Sequence, residues 1–375
     1  MSRLAESDRE RIAALFDRHL EVGLHHGAQL AVFVDGELVI DLAGGTTGPD
    51  GDRETHETRH VLFSCTKPYA AVTLHSLVEE GALAYDDRVV DHWPEFAEEG
   101  TDKAAITVRQ VLSHTAGLQK STIDARPAAW NDWDAVIETL EDQDPLTPPG
   151  EVPAYHSLTF GWLVGELVRR VSGTAIEEAA TARVFEPLGM AQTGIGLRED
   201  EDDDVATVVG FEPFDRCRDP GEGLGNNAAV AEPFNSEETH RAVIPASNGI
   251  GTARDMARFY ACLANGGELE GTRLLESETV DRMTRLAAET ASDGTLDREA
   301  RFALGFWKGG TTVAPYGSLS PEHVFGHAGL GSSVGWADPE ENIGFAYVTN
   351  GVRDGTYEHL ARVNALADAV RLALR

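Results

Sequence analysis

Apolar positions at helical spacing mark residues 6–24, where Ile12, Leu15, Phe16 and Leu20 fall on one side. The pattern then turns strand-like in two runs, 29–34 and 37–42. Asp35-Gly36 between them is a dipeptide favoured in two-residue hairpin turns. A polar, turn-rich stretch follows from 44 to 59. Residues 64–80 read as a buried helix that ends near Gly81. Further helices are predicted over 108–112, 133–140, 159–171, 176–184 and 253–264. Strand patterns return at 303–307, 323–326, 332–337 and 343–349, and a last helix is predicted over 357–374.

Strands at both chain ends and helices between them predict an α+β fold. The two ends share one mainly antiparallel sheet. The partition expected within a single domain 1–375 is an α/β lobe from 1–62 and 300–375 and a helical lobe from 63–299. Residues 200–236, acidic and glycine-rich, read as a long excursion or lid.

Composition narrows the function classes. The chain has 375 residues, 42% hydrophobic, with 38 glycines and 16 prolines distributed along it, which is a globular profile. Asp and Glu total 63 against 31 Lys and Arg, a formal net charge of −32. Nucleic acid and anionic membranes are polyanions and are excluded as partners on that balance. Such acidity suits a protein of a salt-loving organism, where salt screens self-repulsion. Three cysteines, at 65, 217 and 262, are too few and too scattered for a disulfide framework. No signal-peptide core and no run of membrane-span length occurs, so a cytoplasmic location is expected.

Chemistry concentrates at the start of the buried helix, in Phe63-Ser64-Cys65-Thr66-Lys67. Residues three apart on a helix lie one above the other, so the Lys67 amine reaches the Ser64 hydroxyl. A serine hydroxyl needs an adjacent base, and burial makes lysine one by disfavouring its charged form. Only four of the basic residues are lysines, and this one sits among Val61, Leu62, Phe63, Tyr69, Ala70 and Val72.

The chain resembles the serine β-lactamase, penicillin-binding protein and esterase superfamily, in the branch of class C β-lactamases and related esterases. The resemblance covers nearly the whole length. It rests on Ser64-x-x-Lys67, on 108–118 (VRQVLSHTAGL), and on Pro149-Gly150 followed by Tyr155-His156-Ser157. It continues through 185–190 (FEPLGM), 248–259 (NGIGTARDMARF) and Gly326-His327-Ala328-Gly329. It implies an acyl-enzyme mechanism with no metal or organic cofactor. Ser64 would be the nucleophile, Lys67 its base or proton shuttle, and Tyr155 the catalytic tyrosine, with its pKa depressed by the lysine. Ser157, His327 and Gly329 would contact substrate, and the N–H groups of Ser64 and Leu330 would form the oxyanion hole.

Two departures shape the substrate expectation. His327 stands where penicillin-recognising members have a lysine, and Ser157 where they have an asparagine. Both changes weaken β-lactam recognition. The predicted activity is therefore hydrolysis of small carboxylic esters. The alternatives are a β-lactamase, an amide or peptide hydrolase using the same site, and a non-catalytic ligand-binding protein.

Two motifs match by spacing alone. His56-Glu57-Thr58-Arg59-His60 fits H-E-x-x-H but follows a glycine-rich stretch rather than lying on an apolar helix face. Gly331-Ser332-Ser333-Val334-Gly335 fits G-x-S-x-G, but a strand rather than a helix follows it. His114 reads as structural, and Cys65 as a small buried thiol.

Overall fold

The computed structural model describes residues 4–49, 51–211, 226–354 and 356–375. Cys217 and residues 212–225 of the expected excursion lie outside them.

Among the described residues the main sheet has eight strands, and all its pairings are antiparallel. In chain order these are β1 (Gly27–Val34), β2 (Glu37–Gly45), β3 (Ala288–Thr290), β4 (Ala300–Phe302), β5 (Trp307–Lys308), β6 (Phe325–Ala328), β7 (Val334–Asp338) and β8 (Ile343–Thr349). Their spatial order is β2-β1-β8-β7-β6-β5-β4-β3. The first hairpin therefore joins the C-terminal strands, as both ends of the sequence predict.

Strand β1 is buried along its whole length because both of its faces are covered. Leu30 and Val32 point into a core with Phe16, Trp336, Phe345 and Val370, built by helices α1 (Glu6–Glu21) and α5 (Thr356–Ala373). Ala31 and Phe33 point the other way, into a larger core shared with the rest of the helices. There α4 (Ala253–Ala264) lies across β1, β7 and β8, although its residues fall in the central, mainly helical part of the chain. Helices α2 (Lys67–Glu79) and α3 (Thr159–Ser172) pack together beside it.

The strand expected over 303–307 shifts. Residues 303–306 are a tight turn between β4 and β5, closed by Ala303 N–H donating to Phe306 O at 2.8 Å. Gly305 occupies φ +87 in that turn, and its α-carbon lies so close to Ala71 on α2 that a side chain would collide. The apolar run at 303–307 is thus explained by burial against a helix, not by strand pairing. Strand β3 carries no apolar alternation, and its existence follows from its register with β4.

Candidate active site

Ser64 begins a short turn of 3-10 helix, Ser64–Thr66, that leads into α2. The residue before it, Phe63, has φ 47 and ψ −135, a conformation that costs a bulky L-residue about 1–3 kcal/mol. Surrounding contacts hold it there. Thr66 Oγ1 donates to Phe63 O at 2.5 Å and accepts from Gly249 N at 2.7 Å. Phe63 is buried against Phe234, with ring centroids 5.1 Å apart. The sharp turn presents the half-buried Ser64 hydroxyl to a cavity of about 640 Å³, of the size that takes a small organic ligand.

Lys67 is fully buried, and its Nζ lies 3.1 Å from Ser64 Oγ. The amine also donates to the carbonyl oxygens of Ser157 at 2.7 Å and Ala246 at 3.0 Å. Ala246 comes this close because Gly161 on α3 has no side chain; a β-carbon there would sit 2.2 Å from Ala246 N. Burial drives the Lys67 pKa well below that of a free lysine, and the charge of Asp124 offsets only part of this. A neutral amine has two N–H bonds and one lone pair. Two carbonyls take the N–H bonds, so the lone pair is left for the Ser64 hydroxyl.

Tyr155 reaches the same place from the segment before α3. The Lys67 amine lies 4.9 Å from the centre of its ring. The expected depression of its pKa is reversed: burial pushes it up, and hydrogen bonding toward Ser64 opposes this only in part. The correction has a simple cause. The lysine is itself pushed toward neutrality, so its stabilising charge is missing when the phenol would ionise. The Tyr155 hydroxyl makes no hydrogen bond of good geometry at rest. Its backbone is fixed by Asp293, whose Oδ2 accepts from Tyr155 N at 2.9 Å.

Ser157 and Leu330 line the cavity. Ser157 adds what its side chain did not suggest, a main-chain carbonyl that orients Lys67. Gly329 also lines it, but its N–H donates to Ser333 O at 2.7 Å. Its lack of a side chain lets this segment lie against Leu62 and Phe63, since a β-carbon would be 2.9 Å from Leu62 O. His327 lies beneath the cavity, not in its wall: it is fully buried between Trp307 and Tyr155, with centroids 4.8 and 6.0 Å away. Its Nδ1 donates to Ala328 O at 2.9 Å, and burial holds its pKa well down, so the ring is neutral.

The remaining candidates sit apart from the cavity. His60 bonds Glu54 at 2.9 Å, His56 pairs with Asp41 at 2.9 Å, and Glu57 pairs with Arg254, so the H-E-x-x-H residues point to separate partners. Ser333 is buried at the start of the β7 approach, with its Oγ 3.4 Å from Thr349 N. His114 is buried at φ 61, and its Nδ1 accepts from His156 N at 3.1 Å beside the Tyr155 ring. Cys65 and Cys262 are free, buried thiols, and the Cys65 pKa is pushed up to about 12 by burial. Asp124, Arg298 and His359 line the cavity without belonging to any local motif, and spacing alone does not point to them.

The Beta-lactamase family model matches residues 12–369. This chain belongs to the β-lactamase family. A family relative, esterase/beta-lactamase LipL of Mycobacterium tuberculosis, is 33% identical over 345 residues, covering 86% of this chain and 77% of its own. A penicillin-binding protein homologue from Caulobacter crescentus superposes with a TM-score of 0.85 at 34% identity, covering 99% of this chain and 98% of that one. A family VIII carboxylesterase superposes with a TM-score of 0.81 at 28% identity, covering 98% and 99%. This β-lactamase-family chain is a serine hydrolase with the β-lactamase and penicillin-binding protein fold. Among its described residues no helix is long and apolar enough to cross a membrane.

Proposed function

We propose that the protein hydrolyses small carboxylic esters through an acyl-enzyme on Ser64. The observation that carries this reading is the Lys67 amine, buried, biased to neutrality and 3.1 Å from Ser64 Oγ. Lys67 takes the Ser64 proton as Oγ bonds to the ester carbonyl carbon. The negative charge that develops on the carbonyl oxygen is met by the N–H groups of Ser64 and Leu330. Tyr155, kept protonated by burial, gives its proton to the departing alcohol oxygen as the carbon–oxygen bond breaks, and the Lys67 ammonium restores it. Water then attacks the acyl-serine by the reverse route, releasing the acid and regenerating Ser64.

An ester is favoured over a β-lactam because the residue at 327 is a buried, neutral histidine. It offers no charge to a β-lactam carboxylate. A cytosolic enzyme is proposed with this activity, on the strength of two described cysteines that are free thiols. The test is hydrolysis of a short-chain p-nitrophenyl ester in multimolar KCl. Turnover should vanish in Ser64→Ala, and a fluorophosphonate should label the peptide holding Ser64. Full turnover in that variant, or label on Ser333, would remove Ser64 from the reaction.

A further inference from the structure

Arg362 on α5 is fully buried in a chain with 63 acidic residues, yet among the described residues it forms no ion pair with a carboxylate. Glu358, one helical turn before it, pairs instead with Arg353 at 3.3 Å. A buried guanidinium is costly unless other groups take its N–H bonds. Main-chain carbonyls do so here. Nη1 donates to Leu24 O at 2.9 Å, and Nη2 donates to Gly331 O and Gly351 O, both at 2.8 Å. Leu24 precedes β1, Gly331 lies in the loop between β6 and β7, and Gly351 follows β8. One side chain therefore ties together three segments that are distant in sequence.

The contact with Gly331 is the one beside the reaction. Its neighbour Leu330 lines the Ser64 cavity and carries the N–H given above to the oxyanion hole. The loop is fixed on both sides of that N–H. Before it, Gly329 N–H donates to Ser333 O at 2.7 Å and closes the turn. After it, Gly331 O accepts from Arg353 N at 2.9 Å as well as from Arg362, so both of its lone pairs are used. Gly331 has φ +54, and a β-carbon there would lie 2.1 Å from Arg353 O, so the loop and the segment after β8 meet main chain to main chain. The Leu330 N–H itself meets no acceptor among the described residues.

An oxyanion hole works by preorganisation: its donors already stand where the charge will form. We infer that Arg362 is a positioning residue for the oxyanion hole, which holds the Leu330 N–H toward Ser64 by fixing the Gly331 carbonyl from behind. Arg362 is not among the side chains that line the cavity, so it acts through the loop. The Arg353 N–H supports the same carbonyl, but its segment is itself held by Arg362 through Gly351 O. Loss of the guanidinium thus frees the loop and its second support together. The inference rests on the Ser64 acyl-enzyme reading.

The test uses Arg362→Lys and Arg362→Met in the full chain, with folding checked by circular dichroism in multimolar KCl. The first readout is phosphonylation of Ser64 by a fluorophosphonate, whose phosphoryl oxygen enters the oxyanion hole without any ester being turned over. The limiting rate should fall about tenfold to a hundredfold in Arg362→Met and less in Arg362→Lys. The half-saturating concentration and the pH midpoint should stay where they are in wild type, whereas a general loosening around Lys67 would move both. The second readout is the infrared carbonyl stretch of the acyl-enzyme formed from isotope-labelled p-nitrophenyl acetate. In wild type it should lie below that of an acetyl ester in water, and in the variants it should rise toward that value. A folded variant that reacts at the wild-type rate, or one that loses rate with a shifted pH midpoint, overturns the positioning role. A wild-type stretch at the aqueous value overturns it even if neither variant folds. A wild type that is phosphonylated but hydrolyses no ester would strike at the esterase reading alone, and the phosphonylation rates would still decide the role of Arg362.

Discussion

The Asp293 carboxylate and the Tyr155 main chain are joined by a 2.9 Å hydrogen bond across 138 residues of sequence. The other Asp293 oxygen caps Thr295 and Leu296, so one buried side chain ties the loop between β3 and β4 to the segment that carries the tyrosine. Asp293→Ala removes three hydrogen bonds at once. It is expected to lower kcat/KM for a p-nitrophenyl ester about 10–100-fold by loosening Tyr155. Asp293→Asn, which keeps one carbonyl oxygen, should recover part of that loss. Equal activity in all three proteins would show that Tyr155 is positioned without Asp293.

The pH profile reports on Lys67. Its pKa is lowered by burial, so the neutral amine, the form proposed to act as base, is the main form from a pH well below 10.5 upward. Activity should rise through the lowered pKa as pH increases and level off before the range of an ordinary lysine. Lys67→Arg cannot deprotonate and is expected to cost about a thousandfold in kcat. A profile still climbing at pH 10 would contradict a depressed Lys67.

A second buried pair predicts acid behaviour. Arg371 on α5 donates to Asp338 at the end of β7, and His323 bonds the same carboxylate at 3.0 Å. Burial would raise the Asp338 pKa, but the hydrogen bond and charge of Arg371 outweigh it, and the net shift is downward from 3.8. A depressed carboxylate pKa adds stability that is present above the unfolded-state value and is lost as pH falls through the folded-state value. Arg371→Met leaves that buried charge without its arginine, held only by His323 and the main-chain N–H groups of Glu340 and Glu341. The variant should be less stable by about 3 kcal/mol at neutral pH and should unfold at higher pH in an acid titration. Circular dichroism checks both.

The charge of −32 predicts salt dependence. Raising KCl from about 0.1 to about 3 M shortens the Debye length several-fold and relieves repulsion among surface carboxylates. The melting midpoint should climb across that range. A flat midpoint would mean that the acidic surface is not matched to high salt.

Local patterns were readable wherever neighbours in sequence are neighbours in space. The first hairpin is one case, with Asp35 and Gly36 at φ 51 and 78. The pairing of Ser64 with Lys67 is another, because one helical turn sets the distance. The sharing of a sheet by the two chain ends also followed, from where the strand patterns sit. The turn at 303–306 was misread as strand because its apolar residues answer to Ala71 and its neighbours on α2, far off in sequence.

What the sequence determined by itself, then, is the α+β plan, the acidic surface, and the presence of a serine and a lysine one helical turn apart. Only the tertiary structure decided their states. The Lys67 pKa is lowered because distant segments bury it, among them those whose carbonyls, 90 and 179 residues away, meet its amine. Tyr155 stays protonated because it is buried, His327 is closed off beneath the cavity, and Arg298 is brought to the cavity wall by a loop with no motif. Residue identity and spacing are written locally, whereas desolvation depends on everything packed around a group, so protonation and access emerge only when distant segments meet.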